Sequence, residues 1–181
     1  MMPQNKSWKT VSTKYVYENN WIKVRHDEIV TPKGVKGIYG VVETRPFVMI
    51  IPKIKDKFYL VKLYRYATGN LSLEFPAGGI EEGEEVESAL GRELQEEAGL
   101  KSNNIEKLGF LYSANGFATD GFYVYIAEAC EEVERKPEDL EEGMTVEKLT
   151  LEELKRQIKT GMITDGPTVA AFCLYELNHQ H

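Results

Sequence analysis

Glu93, Glu96 and Glu97 lie in a run of good helix formers from about Glu84 to Ala98. Residues three or four apart share a helix face, so the three side chains form one carboxylate cluster. Unpaired acids this close repel one another. A solvated face bears that cheaply, whereas a hard divalent cation turns it into a binding site. Mg²⁺ favours oxygen ligands, uses few carboxylates, and leaves room for water and substrate phosphates. The charged outer face of an amphipathic helix would account for acids one at a time. It would not account for Gly78, Glu84, Arg92, Gly99 and the glutamates at one joint spacing.

Two elements must position this cluster. Pro76-Ala77-Gly78-Gly79 and Glu82-Gly83 read as a turn-rich loop. After it, Val86, Leu90, Leu94 and Ala98 recur at helical spacing, and Gly99 is a natural C-terminal stop. Gly91 falls inside this helix, where glycine costs about 1 kcal/mol relative to alanine. It either admits a close neighbour or is simply tolerated.

The chain has 181 residues, enough for one domain with a small appended element. Its hydrophobic share of 42% and charged share of 28% are those of a soluble globular protein. A net charge of −7 argues against broad binding to nucleic acid or an anionic membrane. Cys130 and Cys173 have no metal-ligand spacing and read as buried small hydrophobes. The first residues lack an apolar signal core, and no apolar run is long enough to span a bilayer, so the expected home is a reducing cytoplasm.

Residues 1–13 are polar and read as frayed. Tyr15 to Tyr17 and Trp21 to Val30 read as strands, and Gly37 to Glu43 returns as the second arm of a hairpin after the turn Thr31-Pro32-Lys33-Gly34. Trp21, Tyr15 and Tyr17 could pack a core, stack on a base or fill a subunit interface, core packing being the default for each. Phe47 to Ile54 is a continuous apolar strand buried on both faces, and Phe58 to Tyr66 turns back beside it. Arg65, between Tyr64 and Tyr66, either stacks on its neighbours at the surface or points its planar fork at a phosphate. Leu71 to Phe75, Ile105 to Ser113, Phe122 to Glu128 and Met144 to Leu149 read as further strands. Residues 129–143 are acidic, lack apolar periodicity and read as a loop. Thr150 and Glu153 have capping-box spacing, and Asp165-Gly166-Pro167 opens a last helix with Val169, Phe172 and Leu177 on its apolar side.

Gly78, Glu84 and the run Arg92-Glu93-Leu94-Gln95-Glu96-Glu97-Ala98-Gly99-Leu100 fit the pattern G-x5-E-x7-R-E-U-x-E-E-x-G-U, U being aliphatic, without a mismatch. The chain therefore resembles the Nudix hydrolases. The run YRYATGNLSLEFPAGGIEEGE, the hairpin ending in YGVVE and the closing segment TVEKLTLEELKRQIKTG resemble the ADP-ribose pyrophosphatase branch, so the similarity covers most of residues 14–176.

The resemblance implies an α/β (α+β) fold, an α/β/α sandwich around a mixed sheet. It implies an N-terminal antiparallel β element in residues 1–45 and a hydrolase domain in residues 46–181. It implies Mg²⁺, with Mn²⁺ as a substitute, on Glu93, Glu96, Glu97 and the carbonyl of Ala77. Arg92 would orient the carboxylates, and Arg65, Glu74, Gly116 and Phe117 would meet substrate. The general base would come from the acidic loop, Glu142 first and Glu141 next. The partner would be a nucleotide sugar, and the assembly a homodimer exchanging its N-terminal β element. In one place the pattern departs: Ser113-Ala114-Asn115-Gly116-Phe117 lacks the serine-proline-glycine common in that branch. This opens the substrate to other linked nucleotides, such as dinucleoside polyphosphates or modified triphosphates. A non-catalytic sensor of nucleotide sugars is a third alternative, and the intact box weighs against it.

Overall fold

The computed structural model describes residues 7–137 and 143–179. They form two compact units, one of residues up to Arg45 with Tyr112–Gly121, the other of Pro46–Leu111 with the chain from Phe122 onward.

The first unit is an antiparallel sheet of β1 (Lys9–Glu18), β2 (Ile22–Val30) and β3 (Lys36–Thr44), in that order. The start of β1 corrects the frayed reading of residues 9–13: Lys9 and Thr10 pair with Val30 and Ile29. β2 and β3 are joined through Gly34, whose φ of 81° suits glycine. Trp21 is 70% exposed, and Tyr15 and Tyr17 are also exposed, so within this chain none of the three is a core residue. The segment Tyr112–Gly121 is bound to β3 through Val42 N–H to the Phe117 carbonyl at 2.8 Å and Thr119 N–H to the Val42 carbonyl at 3.0 Å.

The second unit is built on β4 (Phe47–Ile54), which runs parallel to β10 (Gly121–Glu128) and antiparallel to β5 (Lys57–Arg65) and to the short β7 (Ala77–Gly79). The full path is β12 (Thr145–Thr150), β5, β4, β10 and β9 (Asn104–Tyr112), with β6 (Asn70–Glu74) on β5. β4 is buried on both faces because helices cover both. Val48 and Ile50 pack with Leu90 and Leu94 of α1 (Val86–Ala98). Met49 and Ile51 pack with Leu154 of α2 (Leu151–Lys159) and Phe172 of α3 (Gly166–Asn178). The result is an α/β/α sandwich around a mixed sheet.

The capping box at α2 is present: the Thr150 hydroxyl accepts from Glu153 N–H and the Glu153 carboxylate from Thr150 N–H. α3 buries Thr168, Ala171, Phe172 and Tyr175, while Leu177 is 64% exposed and lies off the apolar side expected for it. Cys130 is buried, but Cys173 is exposed. In the acidic stretch, Glu131–Glu132 forms a short strand, β11, against β8 (Leu100–Lys101), where a loop was expected.

Candidate active site

The cluster is assembled where α1 crosses β7. Pro76 to Gly79 had read as loop, yet Ala77–Gly79 is a strand: Phe47, Val48 and Met49 pair with Gly79, Gly78 and Ala77. Arg92 and Glu97 tie α1 to this strand. Glu97 accepts from Ala77 N–H at 2.7 Å, and Arg92 Nη2 donates to the Gly79 carbonyl at 3.0 Å. Gly78 has a direct steric cause. A Cβ there would lie 1.9 Å from Glu93 Oε1 and 2.0 Å from its Cδ. The glycine is the space in which the Glu93 carboxylate sits.

Glu93 and Glu97 are 6% and 5% exposed, so neither belongs to a solvated outer face. Buried carboxylates need compensation, and Arg92 supplies much of it. Its Nε and Nη2 donate to the two oxygens of Glu84 at 3.0 Å each, and its Nη1 to Glu93 at 2.6 Å and Glu96 at 3.1 Å. The hydrogen bonds to Glu84 are the leading cause that pushes the Arg92 pKa far above its ordinary value, and Arg92 in turn holds the Glu84 carboxyl below the usual range. One guanidinium thus holds three box carboxylates. Among the described residues nothing comes within 4 Å of a Cβ built on Gly91, so no close neighbour there accounts for the glycine.

Next to this cluster, Arg65 forms a two-pronged pair with Glu74, its Nε donating at 2.9 Å and its Nη2 to the second oxygen. Glu74 is buried, and its hydrogen bonds are the first cause raising the Arg65 pKa, with Glu97 and Asp165 adding to it. Asp165 caps α3 by accepting from Thr168 N–H at 2.8 Å, and the Thr168 hydroxyl accepts from Phe75 N–H at 3.0 Å. Burial pushes the Asp165 carboxyl up, and the charge of Glu74 adds to this. Asp165 was legible in the sequence only as a helix start. Its charge acts on the Arg65–Glu74 pair from a distant part of the chain, which no local pattern carries.

The structure brings Ala77, Arg92, Glu93, Glu96 and Glu97 together, with Arg65 and Glu74 paired in the same unit. Gly116 and Phe117 belong to the first unit, where the Gly116 carbonyl accepts from the Tyr39 hydroxyl. Glu141 and Glu142 lie outside the described residues.

A divalent cation fits the chemistry here. The donors are hard oxygens, and the Gly78 cradle reserves room at the Glu93 carboxylate. Among the described residues no three His, Cys, Asp or Glu side chains converge on a single point, and Arg92 engages Glu84, Glu93 and Glu96. No helix of the described residues is long and apolar enough to cross a membrane.

Comparison with known proteins gives the same assignment. Residues 44–172 match the NUDIX domain, and residues 8–42 match the nucleoside diphosphate sugar hydrolase N-terminal domain. The chain is 28% identical over 172 residues to ADP-ribose pyrophosphatase of Bacillus subtilis (strain 168), covering 93% of this chain and 92% of the relative. It is 29% identical to the methanol dehydrogenase activator of Bacillus methanolicus, over 90% of this chain and 89% of that protein. A crystal structure of an ADP compounds hydrolase superposes with a TM-score of 0.83 at 24% identity, covering 93% of this chain and 92% of that one, which shows the shared fold. With its box intact, its sandwich in place and its sequence matched over both parts, the chain belongs to the Nudix hydrolase family and is one of its pyrophosphohydrolases.

Proposed function

We propose that the protein hydrolyses the pyrophosphate bond of ADP-ribose or a related nucleoside diphosphate sugar, releasing a nucleoside monophosphate and a sugar phosphate. The observation that carries this reading is the pair of buried carboxylates, Glu93 and Glu97, seated on Ala77-Gly78 and held by Arg92 and the Ala77 N–H. The names of relatives support the substrate class: an ADP-ribose pyrophosphatase, an ADP-sugar pyrophosphatase and a GDP-mannose pyrophosphatase all match.

Glu93 and Glu97, assisted by Glu96 and the Ala77 carbonyl, would hold Mg²⁺, with Mn²⁺ able to replace it. When bound, the ion neutralises pyrophosphate oxygens and activates the attacking water. Arg92 keeps the carboxylates from turning away, the support that outer partners give to ligand groups. Arg65 offers a guanidinium to the substrate, and the buried Glu74 holds it in place through their two-pronged pair. The proton acceptor is assigned to Glu142, or Glu141 next to it.

Residues 46–181 carry this chemistry, and residues 1–45 serve assembly as a homodimer. The exposed Trp8, Tyr15, Val16, Tyr17, Trp21 and Ile38 support that use, because apolar exposure on this scale marks an interaction surface. The free Cys130 and Cys173 suit a reducing cytoplasm.

The test is a panel of nucleoside diphosphate sugars, dinucleoside polyphosphates and nucleoside triphosphates with Mg²⁺, read as phosphate released after phosphatase treatment. Turnover confined to the diphosphate sugars is the expected result. Preference for triphosphates or polyphosphates, or no turnover of any, overturns the reading.

A further inference from the structure

α1 ends at Gly99, and the chain from Glu131 onward returns along that end. Val133 N–H donates to the Gly99 carbonyl at 2.8 Å, and Gln95 Nε2 donates to the Glu134 carbonyl at 3.3 Å. The fit is close. Gly99 has a φ of 63°, and a Cβ on it would lie 3.2 Å from both Arg135 Cβ and the Val133 carbonyl oxygen. The last glycine of the box is therefore needed both for its backbone conformation and for the passage of this strap.

Arg135 closes the strap. Its Nε donates to the Glu96 carbonyl at 3.1 Å and its Nη1 to the Met144 carbonyl at 2.7 Å. The Glu96 carbonyl is one of the last four of α1, which lack partners inside the helix. α1 has no basic residue in its own last turn. Arg135 supplies from a distant segment the cation that the negative end of the helix dipole favours. One planar fork joins the turn carrying Glu96 and Glu97 to the residue before β12; a lysine's rotatable donors could reach the same two carbonyls, with less fixed geometry. Its Nη2 is buried with no partner among the described residues.

We infer that Arg135 is a positioning residue for the pyrophosphate hydrolysis, fixing the Glu96–Glu97 turn of α1 against the start of β12. The inference rests on the function proposed above. Arg135 acts through the Glu96 backbone and needs no contact with the reacting atoms.

The test compares Arg135→Ala, Arg135→Lys and Gln95→Ala with the wild type on the preferred nucleoside diphosphate sugar, with kcat expressed per folded molecule from circular dichroism. Gln95→Ala removes a neighbouring strap bond without touching Glu96. Arg135→Ala should lower kcat about tenfold with KM within about twofold, the pattern of lost transition-state geometry. Arg135→Lys should recover to within about threefold of wild type, and Gln95→Ala should stay within about twofold. The inference is overturned if Arg135→Ala loses no more kcat than Gln95→Ala, if the loss disappears once scaled to the folded fraction, or if lysine restores nothing. A wild type without activity would remove the functional reading and this inference with it; an active wild type with an indifferent Arg135→Ala removes the inference alone.

Discussion

At the scale of single residues, the site is a matter of which atoms occupy which space. Gly78 is the sharpest case, because the Glu93 carboxylate fills the place of its missing side chain. Gly78→Ala should displace Glu93 and cut kcat by about 10²-fold, as loss of preorganised charge does. Near-native activity in a folded Gly78→Ala variant would show that Glu93 has another place to sit. Glu84 gives a pH-dependent counterpart. Its carboxyl is held low by Arg92 in the folded state, so its contribution to stability is complete above the unfolded value of about 4.3 and fades as pH falls through the lower folded value. The gap in Tm between wild type and Glu84→Gln should therefore be widest near neutrality and narrow below pH ~4. A gap constant from neutrality to strong acid would contradict that. The types and spacing of the acids were legible in the sequence, because a helix turns spacing into a shared face. The burial of Glu93 and Glu97, the Arg65–Glu74 pair and the place of Asp165 were not, since each depends on a partner from a different element. For the base, Glu142→Gln should depress kcat strongly at nearly constant KM, with Glu141→Gln as the check on a slip of one position. A loss of no more than a few-fold in both would put the base elsewhere.

At the scale of elements, the sequence is most readable where one face repeats. The β4–β5 hairpin, α1 with its Gly99 stop, and the Thr150–Glu153 capping box all follow from local pattern and form as expected. β7 was hidden because Ala-Gly-Gly has no strand preference; it is a strand only because β4 pairs with it and α1 pins it through Arg92 and Glu97. β11 escaped notice for a similar reason: two glutamates form a strand only where Leu100–Lys101 offers an edge. Gly91 lies on the exposed side of α1, and among the described residues nothing comes within 4 Å of a Cβ built there. Gly91→Ala should stabilise the protein by about 0.5–1 kcal/mol, raising Tm by a few degrees without changing kcat. A fall in Tm would mean that the helix is under a constraint at Gly91 that its surroundings do not reveal.

For the whole molecule, the two units divide the work proposed for them. The sandwich buries its apolar residues on both faces of β4, whereas every residue of β1 is exposed. Trp21, Tyr15 and Tyr17 had the composition of a core, and sequence alone could not say that the packing they need is absent within this chain. Light scattering at micromolar concentration should report a homodimer, and a monomer would contradict the role given to this sheet. The proposed hydrolysis can be followed as AMP and ribose 5-phosphate released from ADP-ribose with Mg²⁺, after EDTA, and with Glu97→Gln. EDTA should abolish turnover and Mg²⁺ or Mn²⁺ restore it, and a folded Glu97→Gln should show a kcat about 10²-fold lower. Full turnover in metal-free buffer, or an unchanged rate in Glu97→Gln, would contradict it.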